Sequence, residues 1–220
     1  MSSLRFRTIV FDLDGTLADT APDIAAAINH ALASVARPSL SLDAVQGMVG
    51  HGGKVLMQRA LAATGGVDEA TMVAGFSAFI SYYEAHVCDL SRAYPGVTDA
   101  LEMLRDQGIS LAVCTNKPGH LARGLIDALG WRDRFAAIVG GDTVATTKPD
   151  PAMLQLAIER AGGGPAAMIG DSIVDVQTAR AAGVPCIAVS FGFADRPADQ
   201  LGADAVIDGY GVLLRTLGLL

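Results

Sequence analysis

The sequence predicts an α/β fold: a doubly wound parallel sheet with an all-helical domain inserted after its first strand. Short runs rich in Val, Ile and Ala recur along the chain, nearly unbroken by polar residues, as expected of strands buried on both faces. Helical patterns separate these runs, and such alternation is the signature of parallel strand–helix–strand units. The alternation fails over residues 18–88, where helical spacing continues without a convincing strand.

Taken in order, the first strand is Thr8–Phe11, and it ends at Asp12. Helices are expected over 19–35, with Pro22 in the first turn, then over 55–63 and 69–87. The alternation resumes with a helix over 96–107, set between Pro95 and Gly108, and a strand at Ser110–Cys114. A helix over 118–129 leads to a strand over 136–139, and a helix over 151–161 to a strand over 166–169. A helix over 175–182 stops at Gly183, and the runs Cys186–Val189 and, more weakly, Ala205–Ile207 complete the sheet. Gly162-Gly163-Gly164-Pro165 is a loop. The expected division is a core of residues 1–17 and 89–220 and an inserted domain of residues 18–88.

Composition excludes several function classes. The 220 residues are 51% hydrophobic and 18% charged, a globular composition. Sixteen Lys and Arg against 23 Asp and Glu give a net charge of −7, which argues against nucleic acid or an anionic membrane as the main partner. Cys88, Cys114 and Cys186 are odd in number and widely spaced, so they suggest neither a disulfide framework nor a zinc site, and Cys114 and Cys186 read as core residues. No run resembles a signal peptide or is long enough to span a bilayer, so a reducing cytoplasmic setting is expected. His30, His86, His120 and Trp131 read as surface or packing residues.

The chemistry starts at Asp12-Leu13-Asp14-Gly15-Thr16. In an open parallel sheet, ligands bind at the carboxyl ends of the strands, and residues two apart on an extended chain point the same way. Two carboxylates aimed into one crevice repel each other unless one is protonated or a cation sits between them. Mg²⁺, a hard ion content with one or two carboxylates and phosphate oxygens, is the natural solution. Three further strand ends carry polar residues: Thr115-Asn116, then Gly140-Gly141-Asp142 followed by Lys148-Pro149, and Gly170-Asp171-Ser172 with Asp175 four positions past Asp171. One rim thus collects acids, a hydroxyl and a lysine.

These four motifs, in this order, resemble the haloacid dehalogenase superfamily of aspartyl-phosphate-forming phosphatases, with its Rossmann-like core. The resemblance implies that Asp12 is the nucleophile, an ordinary carboxylate already ionised at neutral pH. It makes Asp14 the general acid and then the base, has Thr115 donate to phosphoryl oxygens, and has Lys148 neutralise Asp12 and the phosphate. Mg²⁺ would be held by Asp12, the backbone carbonyl of Asp14 and Asp171, with Asp175 holding a metal-bound water or Lys148. Thr16 is expected to orient Asp14 or a neighbour. Dehalogenases of this fold lack an acid at the position of Asp14, because a halide leaves without a proton.

The helical insertion corresponds to the cap domain of one subclass. Its candidate substrate contacts are His51, Gly52, Lys54 and Arg59, in a glycine-rich loop leading into a helix, together with Asn116 on the core. Residues 49–61, with Ala21-Pro22-Asp23, Thr115-Asn116-Lys117-Pro118 and Gly140-Gly141-Asp142, are similar to bacterial phosphoglycolate phosphatases. The implied partner is a small phosphorylated metabolite, 2-phosphoglycolate first, acted on by a monomer or homodimer. Alternatives are a phosphosugar mutase, a phosphonate hydrolase using Lys54 as a Schiff base, and a binding module without turnover.

Overall fold

A computed structural model describes residues 4–194 and 196–220. Six parallel strands form one sheet: β1 (Thr8–Phe11), β4 (Ser110–Cys114), β5 (Ala137–Val139), β6 (Ala166–Gly170), β7 (Cys186–Val189) and β8 (Ala205–Ile207). Their order is β5-β4-β1-β6-β7-β8. The chain runs outward from β1 to β4 and β5, then returns to the other side of β1 for β6. The order therefore reverses at β1, and the crevice of a doubly wound sheet opens beyond its carboxyl end. Phe11 pairs with Val113 on one side and Ile169 on the other, so β1 has no free edge.

Alternation along β1 serves two cores. Ile9 and Phe11 join Leu101 and Leu104 of helix α5 (Val97–Asp106), Leu125 of α6 (Gly119–Ala128) and Leu213 of α9 (Leu213–Leu217). Val10 faces the other way, into Met153 and Ala157 of α7 (Ala152–Arg160) and Val176 of α8 (Ile173–Ala182). Both faces are covered, which is why these strands read as apolar runs rather than alternating ones.

Between the first and second sheet strands lie α1 (Ala21–Ser34), α2 (Leu42–Gln46), α3 (Gly53–Ala63) and α4 (Glu69–Ala85). They enclose a core of their own, with Ile28, Leu32, Met57 and Leu61 fully buried. Each such side chain contributes ~1.5–3 kcal/mol by leaving water. Two short strands, β2 (Ala18–Asp19) and β3 (Arg92–Ala93), pair antiparallel where the chain leaves and re-enters the sheet region. The sequence showed no strand in residues 18–88; β2 is one, of two residues, too short to leave a periodic trace. Asp23, buried at the start of α1, accepts hydrogen bonds from Leu90 N (2.9 Å), Ser91 N (2.7 Å) and Ser91 Oγ (2.6 Å), tying the two crossings together.

Helix α8 starts two residues before its expected position because Ser172 and Asp175 form a reciprocal capping box there. Helices α2 and α9, of five residues each, carry too few residues for a readable pattern. Among the described residues, no helix is long and apolar enough to cross a membrane.

Candidate active site

Asp12 is the first residue past β1 and is held by its own backbone neighbourhood. Its amide donates to Ile169 O (2.9 Å), continuing the sheet, and Leu13 N donates to Asp12 Oδ1 (2.7 Å). Lys148 Nζ lies 2.9 Å from Asp12 Oδ2 and donates to Asp175 Oδ1 at 2.7 Å. Lys148 is buried, so desolvation opposes its charge; the Asp12 and Asp175 carboxylates outweigh that and hold it cationic. Burial pushes Asp12 up to about 7, although Lys148 pulls it down and Asp175 and Asp14 add to the rise. Asp12 is therefore not the ordinary carboxylate the sequence suggested: its site is too dry for that.

Asp171 follows β6 and is almost fully enclosed. Thr16 Oγ1 donates to its Oδ1 (3.1 Å) and Phe193 N to its Oδ2 (2.6 Å). Burial, then the charges of Asp175 and Asp12, raise it well above the usual carboxylate range. Asp175 is buried at the third position of α8, where Ser172 N (3.1 Å) and Ser172 Oγ (2.7 Å) donate to its Oδ2. One carboxylate thus caps the helix with one oxygen and holds Lys148 with the other. Carboxylate oxygens of Asp12, Asp171 and Asp175 all lie within 4.8 Å of one another. Three crowded acids share a single ammonium; burial raises Asp12 and Asp171 first, and the neighbouring carboxylates add to the rise. An all-oxygen donor set of this kind fits a hard divalent cation.

The turn after Asp12 depends on Gly15, whose φ of +77° is left-handed. A Cβ at this glycine would stand 2.4 Å from Asp171 Oδ2, which brings the loop and the acid together only if the side chain is absent. Past the turn, Asp14 Oδ1 accepts from Thr20 Oγ1 (2.7 Å) and from Lys117 Nζ (2.8 Å). Thr115, at the end of β4, accepts from Lys117 N through its Oγ1 (3.2 Å), which leaves its hydroxyl proton for an anion in the cleft.

Asn116 serves the frame rather than the cleft. Its Nδ2 donates to Gly50 O (3.0 Å) and Lys148 O (3.2 Å), while Lys148 N donates to its Oδ1 (2.9 Å). It thereby links the glycine loop before α3 to the segment that carries Lys148. Asp12, Asp14, Thr115, Asn116 and Gly52 line one cleft between the sheet end and the helical region. Thr16 is buried on Asp171 instead. The remaining expected contacts lie outside that cleft. Lys54 is exposed, 5.9 Å from the ring centroid of Phe76, and Arg59 donates to Met48 O (3.1 Å). His51 and Arg59 border a neighbouring depression beside Ser172 and Phe193.

Four residues of the site escaped the sequence reading. Lys117 is buried, with its ammonium on Asp14 and 2.6 Å from the hydroxyl of Tyr83, which reaches in from α4. Its only signal was its place in Thr115-Asn116-Lys117-Pro118. Thr20 and Tyr83 carried no signal, because their contacts depend on how the helices dock. Gly192 belongs with them: a Cβ there would meet Asp171 Cβ at 2.2 Å, in a loop with no motif of its own.

A family model described as haloacid dehalogenase-like hydrolase matches residues 6–183. The chain is 42% identical over 213 residues to a phosphoglycolate phosphatase of Caulobacter vibrioides, covering 96% of this chain and 90% of that one. It is 43% identical over 208 residues to a phosphoglycolate phosphatase of Mesorhizobium japonicum, covering 93% and 92%. A crystal structure of a predicted phosphoglycolate phosphatase from Haemophilus somnus 129PT superposes with a TM-score of 0.93 at 33% identity, covering 98% of this chain and 99% of that one.

Proposed function

The chain belongs to the haloacid dehalogenase-like hydrolases, and on that footing we propose that it hydrolyses 2-phosphoglycolate to glycolate and phosphate through an aspartyl-phosphate intermediate. The helical region of residues 18–88 acts as the cap over the site. Asp12 attacks phosphorus through a carboxylate oxygen, and the bond from phosphorus to the glycolate oxygen breaks. Asp14 gives its proton to the departing alkoxide, then takes one from the water that cleaves the acyl phosphate. Thr115 donates its hydroxyl to a phosphoryl oxygen. Lys148 keeps its charge throughout and offsets the negative charge gathered around Asp12.

Asp12 and Asp171, with the backbone carbonyl of Asp14, would hold Mg²⁺, and Asp175 would support it from behind while fixing Lys148. When bound, the ion supplies charge neutralisation at the phosphoryl oxygens and lowers the cost of ionising Asp12. The enzyme works in a reducing cytoplasm, in which Cys88, Cys114 and Cys186 stay free.

The observation that carries this reading is the pairing of Asp12 and Asp14 on one cleft, with the ammonium of Lys148 2.9 Å from Asp12 Oδ2. A second acid at position 14 has no task in carbon–halogen cleavage and an essential one when an alkoxide leaves. The substrate follows from relatives above 40% identity named for phosphoglycolate. Phosphate release is measured across 2-phosphoglycolate, sugar phosphates, nucleotides and pyrophosphate, with and without Mg²⁺. The expected result is a Mg²⁺-dependent preference for 2-phosphoglycolate, reduced about 10⁴-fold or more in Asp12→Asn. An Asp12→Asn variant as fast as the wild type would refute the mechanism; equal rates across the panel would refute the substrate.

A further inference from the structure

We propose that Lys117, together with the hydroxyl of Tyr83, is the receptor for the carboxylate of the leaving group. The inference rests on the 2-phosphoglycolate reading and names the part of the site that selects it. Among the described residues lining the cleft of Asp12 and Asp14, Lys117 is the cation. Its neighbours there are apolar, with Ile24, Leu56 and Phe79 contributed by the helical region and Leu121 by α6. The arginine and lysine of the glycine-loop helix are committed elsewhere, Arg59 to Met48 O and Lys54 to the exposed face beside Phe76.

The hydrogen-bond arithmetic leaves room for an anion. An ammonium has three N–H donors. Lys117 gives one to Asp14 Oδ1 (2.8 Å) and one to Tyr83 Oη (2.6 Å), which leaves a third for the cleft. Tyr83 accepts through its oxygen and so keeps its own O–H to donate. Its ring also lies against the ammonium, 4.5 Å from centroid to Nζ, which fixes both groups. Two donors, one of them charged, therefore converge at a dry apolar wall, where a charge-assisted hydrogen bond is strongest.

Placement matches the reaction. Asp14 must reach the bridging ester oxygen, and in 2-phosphoglycolate the carboxylate is attached one methylene beyond that oxygen. Lys117 pairs with Asp14 whereas Lys148 pairs with Asp12, so the ammonium next to the proton donor is the one within reach of the end of the leaving group. Recognition spans both parts of the molecule: Lys117 comes from the segment after β4, Tyr83 from α4. A substrate without the carboxylate leaves the third N–H and the phenol unpaired in an apolar pocket, which is the costly outcome that gives selectivity.

The test compares kcat/KM for 2-phosphoglycolate with that for 2-hydroxyethyl phosphate, which keeps the chain length and replaces the carboxylate. It is run with Mg²⁺ on the full chain and on Lys117→Met, Lys117→Arg and Tyr83→Phe. We expect Lys117→Met to shrink the wild-type ratio roughly 30-fold or more, Tyr83→Phe to shrink it about fivefold, and Lys117→Arg to restore part of it. Competitive inhibition by glycolate should weaken in parallel. A ratio that stays constant while both substrates slow together would overturn the proposal, since Lys117 would then act only through Asp14. If Lys117→Met does not fold, Tyr83→Phe, which keeps the ring packed on Phe79, and Lys117→Arg decide it by the same ratio. A wild type with no preference for 2-phosphoglycolate would instead fail the substrate reading, and this inference with it.

Discussion

Replacing Lys148 by Met is the sharpest test of the electrostatic frame. Met keeps most of the side-chain volume and deletes the charge, leaving Asp12, Asp171 and Asp175 crowded within 4.8 Å with no cation among them. Lys148 Nζ now sits 2.9 Å from Asp12 Oδ2 and 2.7 Å from Asp175 Oδ1. At an effective dielectric constant of about 20, each contact is worth ~6 kcal/mol gross. Desolvation of the buried ammonium offsets several kcal/mol, so the net loss on removing one partner is ~3–5 kcal/mol. For a chain of this size that lowers Tm by roughly 6–20 °C.

The loss must depend on pH in a definite direction. Asp12 and Asp171 already titrate above the unfolded carboxylate value of 3.8, and removing Lys148 moves them higher still. Over that window the folded state binds protons that the unfolded chain does not, so the variant regains stability as pH falls from about 8 towards 5. Urea unfolding in EDTA, followed by the fluorescence of the buried Trp131, reads this directly. Saturating Mg²⁺ should stabilise the variant more than the wild type, because it replaces the missing charge. A variant as stable as the wild type at pH 8 in EDTA, or a loss that does not change with pH, would refute the reasoning.

Two further outcomes follow from the same geometry. Mg²⁺ affinity of the wild type, measured by titration calorimetry, should weaken by about tenfold or more per pH unit below pH 7, because the ion must displace the protons that burial favours on Asp12 and Asp171; an affinity constant from pH 5.5 to 8 would contradict this. Asp23→Ala strands the donors of Leu90 and Ser91 and should cost ~2–3 kcal/mol, with faster hydrogen exchange at those two amides, while Asp23→Asn, which keeps one acceptor, should cost less.

Much of this molecule was legible before any coordinates. The strands Thr8–Phe11, Ser110–Cys114, Cys186–Val189 and Ala205–Ile207 stand where the apolar runs placed them, because strands covered on both faces need continuous apolar residues. Asp12, Thr115 and Asp171 could be put on one rim because a parallel sheet gathers its strand ends on one side. The two-residue strand β2 and the five-residue helix α2 were not legible, since elements this short have no period to detect, and α8 starts earlier than its apolar pattern because of its capping box.

By itself the sequence determined the fold class and the order of the acids, because periodicity and spacing are local properties of the chain. It could not determine which cation faces the leaving group. Lys54, Arg59 and Lys117 look equivalent as letters, and only the docking of α4 against the segment after β4 buries Lys117 between Asp14 and Tyr83 while leaving Lys54 exposed. The elevated Asp12 arises the same way: a proton affinity belongs to the surroundings of a carboxylate, and tertiary burial raises this one first, with Asp175 adding to the rise and Lys148 opposing it, both more than a hundred residues away along the chain.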